Sequence, residues 1–374
     1  MSIEAGHVAV SLSRPDFTLD VDIRVPSHGV TGIFGASGCG KTTLLRCIAG
    51  LEQGARGRVG FNGDLWQDSK NFVPAWQRPV GYVFQDARLF PHMTVARNLH
   101  YGRRRARATP ELTSPEEIIA MLGIGHLLDR RPAQLSGGER QRASIARALL
   151  RYPSLVLMDE PLANLDAARK HEIMPFLDRL HASLKVPMLY VSHSLDEMTR
   201  LCDHLVVMQS GKVLGQGRLH DMLMRTDLPI LGGGEASTVL DVRVLDYDPQ
   251  YQLSRLQFAG GEIVVPGRHG ERDCPLRLRV MASDVSLCRE RPQSSSILNI
   301  LPAVVESRQA EAGGHVLVQL RVGEMRILAR VTLKSAEALE LIPGQSLFAQ
   351  IKSVAVKNSA EQVAVDEANN RETI

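Results

Sequence analysis

The run Gly35-Ala36-Ser37-Gly38-Cys39-Gly40-Lys41-Thr42 constrains this chain most, because a G-x-x-x-x-G-K-[ST] loop is useful only between a strand and a helix. The flanks meet that demand. Val30 to Phe34 is a short apolar run suited to a buried strand, and Thr42 to Ala49 reads as a helix stopped by Gly50. Glycines in such a loop let backbone N–H groups wrap phosphate oxygens at the helix start. Gly35, Ala36, Ser37, Gly38, Cys39, Gly40, Lys41 and Thr42, with Thr43, are therefore the candidate nucleotide ligands. Lys41 is expected to reach the β- and γ-phosphates as a point charge, and the Thr42 hydroxyl to ligate Mg²⁺. ATP and Mg²⁺ are the implied cofactors.

A second apolar run, Leu155 to Met158, ends on Asp159 and Glu160. A carboxylate at such a strand tip gives Mg²⁺ its second protein contact, the role expected of Asp159. Glu160 is the adjacent carboxylate not committed to the metal, so it is assigned to polarising the attacking water. Cys39 stands at a helix start, where a thiolate is electrostatically favoured, and its alkylation is expected to block hydrolysis.

Downstream, Leu135-Ser136-Gly137-Gly138-Glu139 is followed by Arg140 to Leu149. In register with the two nucleotide motifs, this segment resembles the signature of the ABC ATPase family. The resemblance implies that Ser136, Gly137 and Gly138 cap a helix that meets the γ-phosphate of ATP held by the opposite subunit, and hence a homodimer. Gln85, in Tyr82-Val83-Phe84-Gln85-Asp86, resembles the Q-loop glutamine, which touches Mg²⁺ and relays nucleotide state to membrane subunits. His193, after Tyr190-Val191-Ser192, resembles the switch histidine that hydrogen-bonds the γ-phosphate and would serve catalysis beside Glu160. Asp166 resembles the D-loop aspartate of the dimer contact. Ser11 to Asp16 holds no aromatic residue to stack on adenine, although Phe17 is close.

Composition excludes several classes. With 374 residues the chain exceeds one ordinary core, and its net charge of +3 argues against a dedicated nucleic-acid surface. No apolar run reaches membrane-helix length, the N-terminus lacks a signal-peptide pattern, and the five cysteines show neither zinc nor disulfide spacing. Arg103, Arg104, Arg105 and Arg107 form the densest basic patch, read as a solvated loop.

The expected fold is α/β: an ABC ATPase cassette over 1–231, with a phosphate-loop core sheet and a helical subdomain at about 88–145, then a small OB-like β-barrel. Strand candidates in the first part include Val80 to Phe84, Met188 to Val191 and Leu205 to Met208. Leu231-Gly232-Gly233-Gly234-Glu235 reads as a linker, with 232–293 carrying it and a first β segment. Period-two runs at His315 to Val322, Met325 to Val331 and Ser346 to Val356 place a β domain at 294–358, and 359–374 reads as a disordered tail.

An ATPase followed by a β domain resembles the importer class of ABC ATPases. Gly81 to His92 and Tyr190 to Glu197 are similar to the molybdate importer ATPases, and Ser295 to Asn299, Thr332 to Ser335 and Gln350 to Ser353 resemble the Mop oxyanion-binding domain. This implies oxyanion ligands at Ser296, Asn299, Ser335 and Lys352, although Leu298 stands where an arginine is common. It also implies import of molybdate, with tungstate as a competitor, and a docking groove near Phe90 and Pro91. Two permease subunits and a periplasmic or surface oxyanion receptor are the implied partners, with no nucleic acid. The subunit is expected at the cytoplasmic face of the inner membrane, held peripherally. Sulfate or thiosulfate import and a soluble, non-transport ABC ATPase are the competing readings.

Overall fold

A computed structural model describes residues 4–104, 114–183, 186–228, 236–352 and 355–357. The expected linker at Leu231 to Glu235, the expected tail 359–374, and Arg105 and Arg107 lie outside them. The chain divides into two compact units, Met1–Leu219 and His220–Ile374.

In the first unit, β1 (Glu4–Arg14), β2 (Phe17–Pro26), β3 (Val30–Phe34), β4 (Arg56–Phe61), β5 (Asp64–Gln67), β6 (Val80–Val83), β7 (Leu155–Asp159), β8 (Met188–Ser192), β9 (His204–Gln209) and β10 (Lys212–Arg218) share one sheet. Their spatial order is β5-β4-β1-β2-β10-β9-β3-β8-β7-β6. Neighbours from β9 to β6 run parallel, and β7 and β8 are buried at every position. That burial is why they read as unbroken apolar runs, whereas β2 alternates buried and exposed in an antiparallel ribbon with one wet face.

The helices of this unit are α1 (Lys41–Ile48), α2 (Val95–Arg103), α3 (Pro115–Met121), α4 (Gly137–Leu149), α5 (Ala167–Ser183) and α6 (Leu195–Leu201), and α7 (Leu219–Leu223) spans the division in sequence between the units. Among the described residues, 88–145 holds α2, α3, most of α4 and short 3-10 turns, with no strand. Ser114 and Ser136 start α3 and α4 through reciprocal capping boxes with Glu117 and Glu139, which satisfy backbone donors that a bare helix end leaves unpaired.

The second unit contains β11 (Ser237–Asp248), β12 (Leu253–Phe258), β13 (Gly261–Pro266), β14 (Pro275–Met281), β15 (Val285–Cys288), β16 (Asn299–Glu311), β17 (His315–Val322), β18 (Met325–Thr332), α8 (Leu333–Ala338), β19 (Ser346–Ile351) and β20 (Ala355–Lys357). They form two five-stranded sheets, β13-β12-β11-β14-β20 and β15-β19-β16-β17-β18. The stretch 232–293 thus carries β11 to β15, more structure than a linker with a first β segment. Leu240, Leu256, Ile263 and Leu278 from this stretch belong to one buried cluster with Leu301, Val318, Ile327 and Ala349 from 294–358. Each sheet has an apolar face that must be covered, and the two cover each other.

Candidate functional site

Parallel pairing delivers the expected nucleotide residues to one edge of the sheet. Phe34 pairs with Ser192, Asp159 with Val191, and Val83 with Met158, so β3, β8, β7 and β6 end together. The phosphate loop, His193, Asp159 with Glu160, and Gln85 follow those ends, the place where open α/β sheets bind ligands.

The loop starts on Gly35, where a Cβ would fall 2.3 Å from the Met208 carbonyl oxygen. It closes on Gly40, whose φ of 105° is left-handed and whose Cβ position lies 2.6 Å from the Phe17 ring. Ala36, Ser37 and Gly38 form its exposed crest, Thr43 is half-buried on α1, and Cys39 is only 5% exposed, packed in the core. Lys41, 4% exposed, donates to the Gly35 and Ala36 carbonyls at 2.9 and 3.0 Å, and its Nζ stands 3.7 Å from Glu160 Oε1. Glu160 Oε2 is 3.5 Å from His193 Nδ1, so one carboxylate bridges the lysine and the histidine. Glu160 holds φ at 43°, a left-handed conformation unusual for glutamate, and such strain is concentrated at functional sites.

Asp159 accepts from the Thr42 hydroxyl at 2.8 Å on Oδ1 and from the Tyr82 hydroxyl at 3.0 Å on Oδ2. Burial holds its carboxyl above the usual carboxylate range, despite both donors. Thr42 and Asp159 therefore present adjacent hard oxygens.

The remaining residues are dispersed. Gln85 is exposed in the bend after β6. The next residue, Asp86, accepts from Asn164 at 3.2 Å, which ties that bend to the segment carrying Asp166. Asp166 caps α5 by accepting from the Arg169 N–H at 2.9 Å. Ser136 caps α4, with Gly137 and Gly138 as its first turn, and backbone bonding from Ser136 pulls the Glu139 carboxyl below its ordinary range. Among the described residues, no hydrogen bond joins Ser136, Gly137 or Gly138 to the phosphate loop.

Several supporting groups escaped the sequence reading. Glu197, 6% exposed, accepts from Tyr190 and Ser192 hydroxyls on Oε2 and from Lys170 on Oε1, which fixes the turn carrying His193. Arg78, fully buried, donates to the Cys47 and Ile48 carbonyls that end α1, to Val73 and to Gln67; burial pulls its guanidinium down to about 10. Asn98, also fully buried, exchanges bonds with both backbone groups of Phe90. The signal nearest to hand was position: Tyr82 and Glu197 lie inside the segments already singled out.

A groove of about 400 Å³ opens in the first unit, lined by Leu51, Trp76, Tyr82, Phe84, Phe90 and Arg147 among others. Arg88 lies over the Phe84 ring and Arg147 over the Phe90 ring, so an apolar floor carries a cationic rim.

In the second unit, the expected oxyanion residues do not converge within one chain. Asn299 pairs with Ile351, next to Lys352, at the start of β16. Ser335 sits on α8 just past Thr332, which pairs with His315, itself opposite Glu311 at the far end of β16. The Asn299 amide is spent on backbone, accepting from Val264 N–H at 2.7 Å and donating to its carbonyl at 2.9 Å. Asn299 thus pins β16 to β13 through its side chain. Ser296 and Lys352 are exposed, and the Ser335 hydroxyl pairs with that of Thr332.

Comparison with known proteins is consistent with this geometry. An ABC transporter model matches residues 19–163, and a TOBE domain model matches 295–357. The chain is 51% identical over 355 residues to the molybdenum import ATP-binding protein ModC of Methylococcus capsulatus, covering 95% of this chain and 99% of the relative. It is 52% identical over 359 residues to the protein of that name from Thiobacillus denitrificans, covering 94% and 99%. Among solved structures, cbiO1 of Clostridium perfringens, part of the ABC transporter complex cbiONQ, superposes with a TM-score of 0.51 at 27% identity, over 60% of this chain and 92% of that one. A nucleotide-free ATP-binding cassette from an ABC transporter gives 0.50 at 29% identity, over 58% and 92%.

Proposed function

This chain belongs to the molybdenum import ATP-binding proteins of the ABC transporter family, and we propose that it hydrolyses ATP–Mg²⁺ at the phosphate-loop edge to energise molybdate uptake. The observation that carries this reading is the bridge of Glu160 between Lys41 and His193, beside the Thr42–Asp159 pair.

The donor set fits Mg²⁺. Thr42 and Asp159 supply hard oxygens, and Mg²⁺ takes one or two protein groups and leaves its other positions to phosphate and water. Among the described residues, no cluster of three His, Cys, Asp or Glu side chains suits a metal that needs a full protein cage. When bound, Mg²⁺ neutralises charge on the β- and γ-phosphate oxygens.

Loop N–H groups and the α1 start hold the β-phosphate, while Lys41 leaves its carbonyl partners to reach the γ-phosphate. Glu160 orients a water in line with the γ-phosphorus and takes its proton as the water oxygen bonds to phosphorus and the bridging P–O bond to ADP breaks. His193 donates to the γ-phosphate, and Gln85 contributes to the metal from the bend after β6. The site is completed in a homodimer, where Ser136, Gly137 and Gly138 of the partner subunit present a helix start to the same phosphate. Asp166 shapes that contact.

The groove at Phe84 and Phe90 takes a permease segment, one on each copy, and a receptor outside the membrane delivers the anion. Among the described residues no helix is long and apolar enough to cross a membrane, in keeping with peripheral attachment at the cytoplasmic face of the inner membrane. In the TOBE region, Ser296, Asn299, Ser335 and Lys352 bind molybdate where copies of the domain meet. Transport in vesicles containing the permease tests this reading. ATP-driven molybdate uptake is expected, and uptake of sulfate at the same efficiency would overturn it.

A further inference from the structure

Tyr82 stands between the groove and the nucleotide edge. On one side its ring lines the groove and stacks on Phe84, with ring centroids 4.3 Å apart. On the other its hydroxyl donates to Asp159 Oδ2 at 3.0 Å, while Oδ1 receives the Thr42 hydroxyl at 2.8 Å. The two oxygens are thereby distinguished. One is anchored by a neutral phenol from the groove side, and the other faces the threonine and the nucleotide edge.

A carboxylate with one oxygen anchored loses rotation about its terminal bond, so its other oxygen, the one shared with Thr42, is held in place before a cation arrives. We propose that Tyr82 is a positioning residue for the metal carboxylate, and that its ring carries the packing state of the groove directly to Asp159. The link needs no displacement of the sheet, since Tyr82 and Asp159 lie on adjacent strands, with Tyr82 paired to Leu157. A partner segment pressing on Phe84 restrains the ring and steadies the carboxylate. An empty groove leaves the ring stacked on Phe84 and packed against the core residues behind it, with no partner pressing from the open side.

The proposal rests on the ATP–Mg²⁺ reading, and Mn²⁺ titration of the full-length protein, followed by the spin resonance of free Mn²⁺ with and without ATP, separates the two. If the unaltered protein shows no ATP-dependent Mn²⁺ binding, the ATP–metal reading itself fails. In Tyr82→Phe, which keeps ring and packing, half-saturating Mn²⁺ should rise about tenfold, the usual effect of removing an outer-shell partner. Affinity for a fluorescent ATP analogue in EDTA should stay within about twofold, because the phosphate loop is untouched. Phe84→Ala removes the ring beneath Tyr82 and should raise half-saturating Mn²⁺ by about threefold, since the hydroxyl persists but is less restrained. An unchanged Mn²⁺ requirement in Tyr82→Phe, or a parallel loss of affinity in EDTA, overturns the positioning role. A shift in Tyr82→Phe with none in Phe84→Ala overturns the link to the groove.

Discussion

Glu197 offers the sharpest test of how the turn carrying His193 is held. Its Oε2 accepts the Tyr190 hydroxyl at 2.9 Å and the Ser192 hydroxyl at 2.7 Å, and its Oε1 accepts Lys170 Nζ at 2.9 Å. In Glu197→Gln the hydroxyls keep an oxygen acceptor, but the new amide N–H₂ meets the lysine ammonium, donor against donor. The loss is one charge-assisted bond, about 1.5–3 kcal/mol when buried. The Lys170 side chain is 31% exposed, and solvent screening brings the expected cost to about 2 kcal/mol. The unfolding midpoint of the first unit should fall by about 4–8 °C.

Glu197→Ala also strands two buried hydroxyls, at about 1–3 kcal/mol each, for a total of about 4–8 kcal/mol. Urea unfolding of Glu197→Gln, Lys170→Met and the double variant should return a coupling of about 2 kcal/mol, because the second change removes the opposed donor. Turnover should follow anchoring rather than charge. Ser192 Oγ also accepts from the Ser194 N–H at 3.0 Å, so freeing it should misplace His193 and cost up to about 100-fold in kcat, whereas the glutamine variant stays within about threefold. Zero coupling, or a glutamine variant as slow as the alanine one, would refute this account.

Glu160→Gln should lower hydrolysis by about 10²–10⁴-fold while ATP binding persists and a dimer accumulates, as read by size exclusion with ATP; brisk turnover would remove Glu160 as the base. The Glu139 carboxyl is held low by the Ser136 backbone N–H, so its contribution is complete above its unfolded value of 4.5 and is lost as pH falls through the lower folded value. Relative to Glu139→Gln, the unaltered protein should therefore lose about 1 kcal/mol, the ordinary worth of a cap, between about pH 6 and about pH 3 in urea titrations. Asn299→Ala should destabilise the second unit by about 2–4 kcal/mol by orphaning both Val264 backbone groups. Lost molybdate binding at unchanged stability would instead make Asn299 an anion ligand and not a tie.

The sequence by itself determined which residue types the phosphate-loop edge carries and the order in which its segments arrive. That legibility has a local cause: a phosphate loop, a carboxylate at a strand tip and a capping box each depend on residues within a few positions of one another. Buried parallel strands such as β7 and β8 also declare themselves, because both faces must be apolar.

Tertiary structure alone decided what pairs across the fold. The sequence placed Gly35 to Thr42, Asp159, Glu160 and His193 in separate segments, and only the parallel register of β3, β8 and β7 joins them. Tyr82 reads as one more apolar residue until β6 lies beside β7 and its hydroxyl meets Asp159. Asn299 shows no tie to β13 until the fold brings the Val264 backbone to its amide. A polar side chain's role is set by which partner reaches it when water is excluded, and for these residues that partner is remote in the chain.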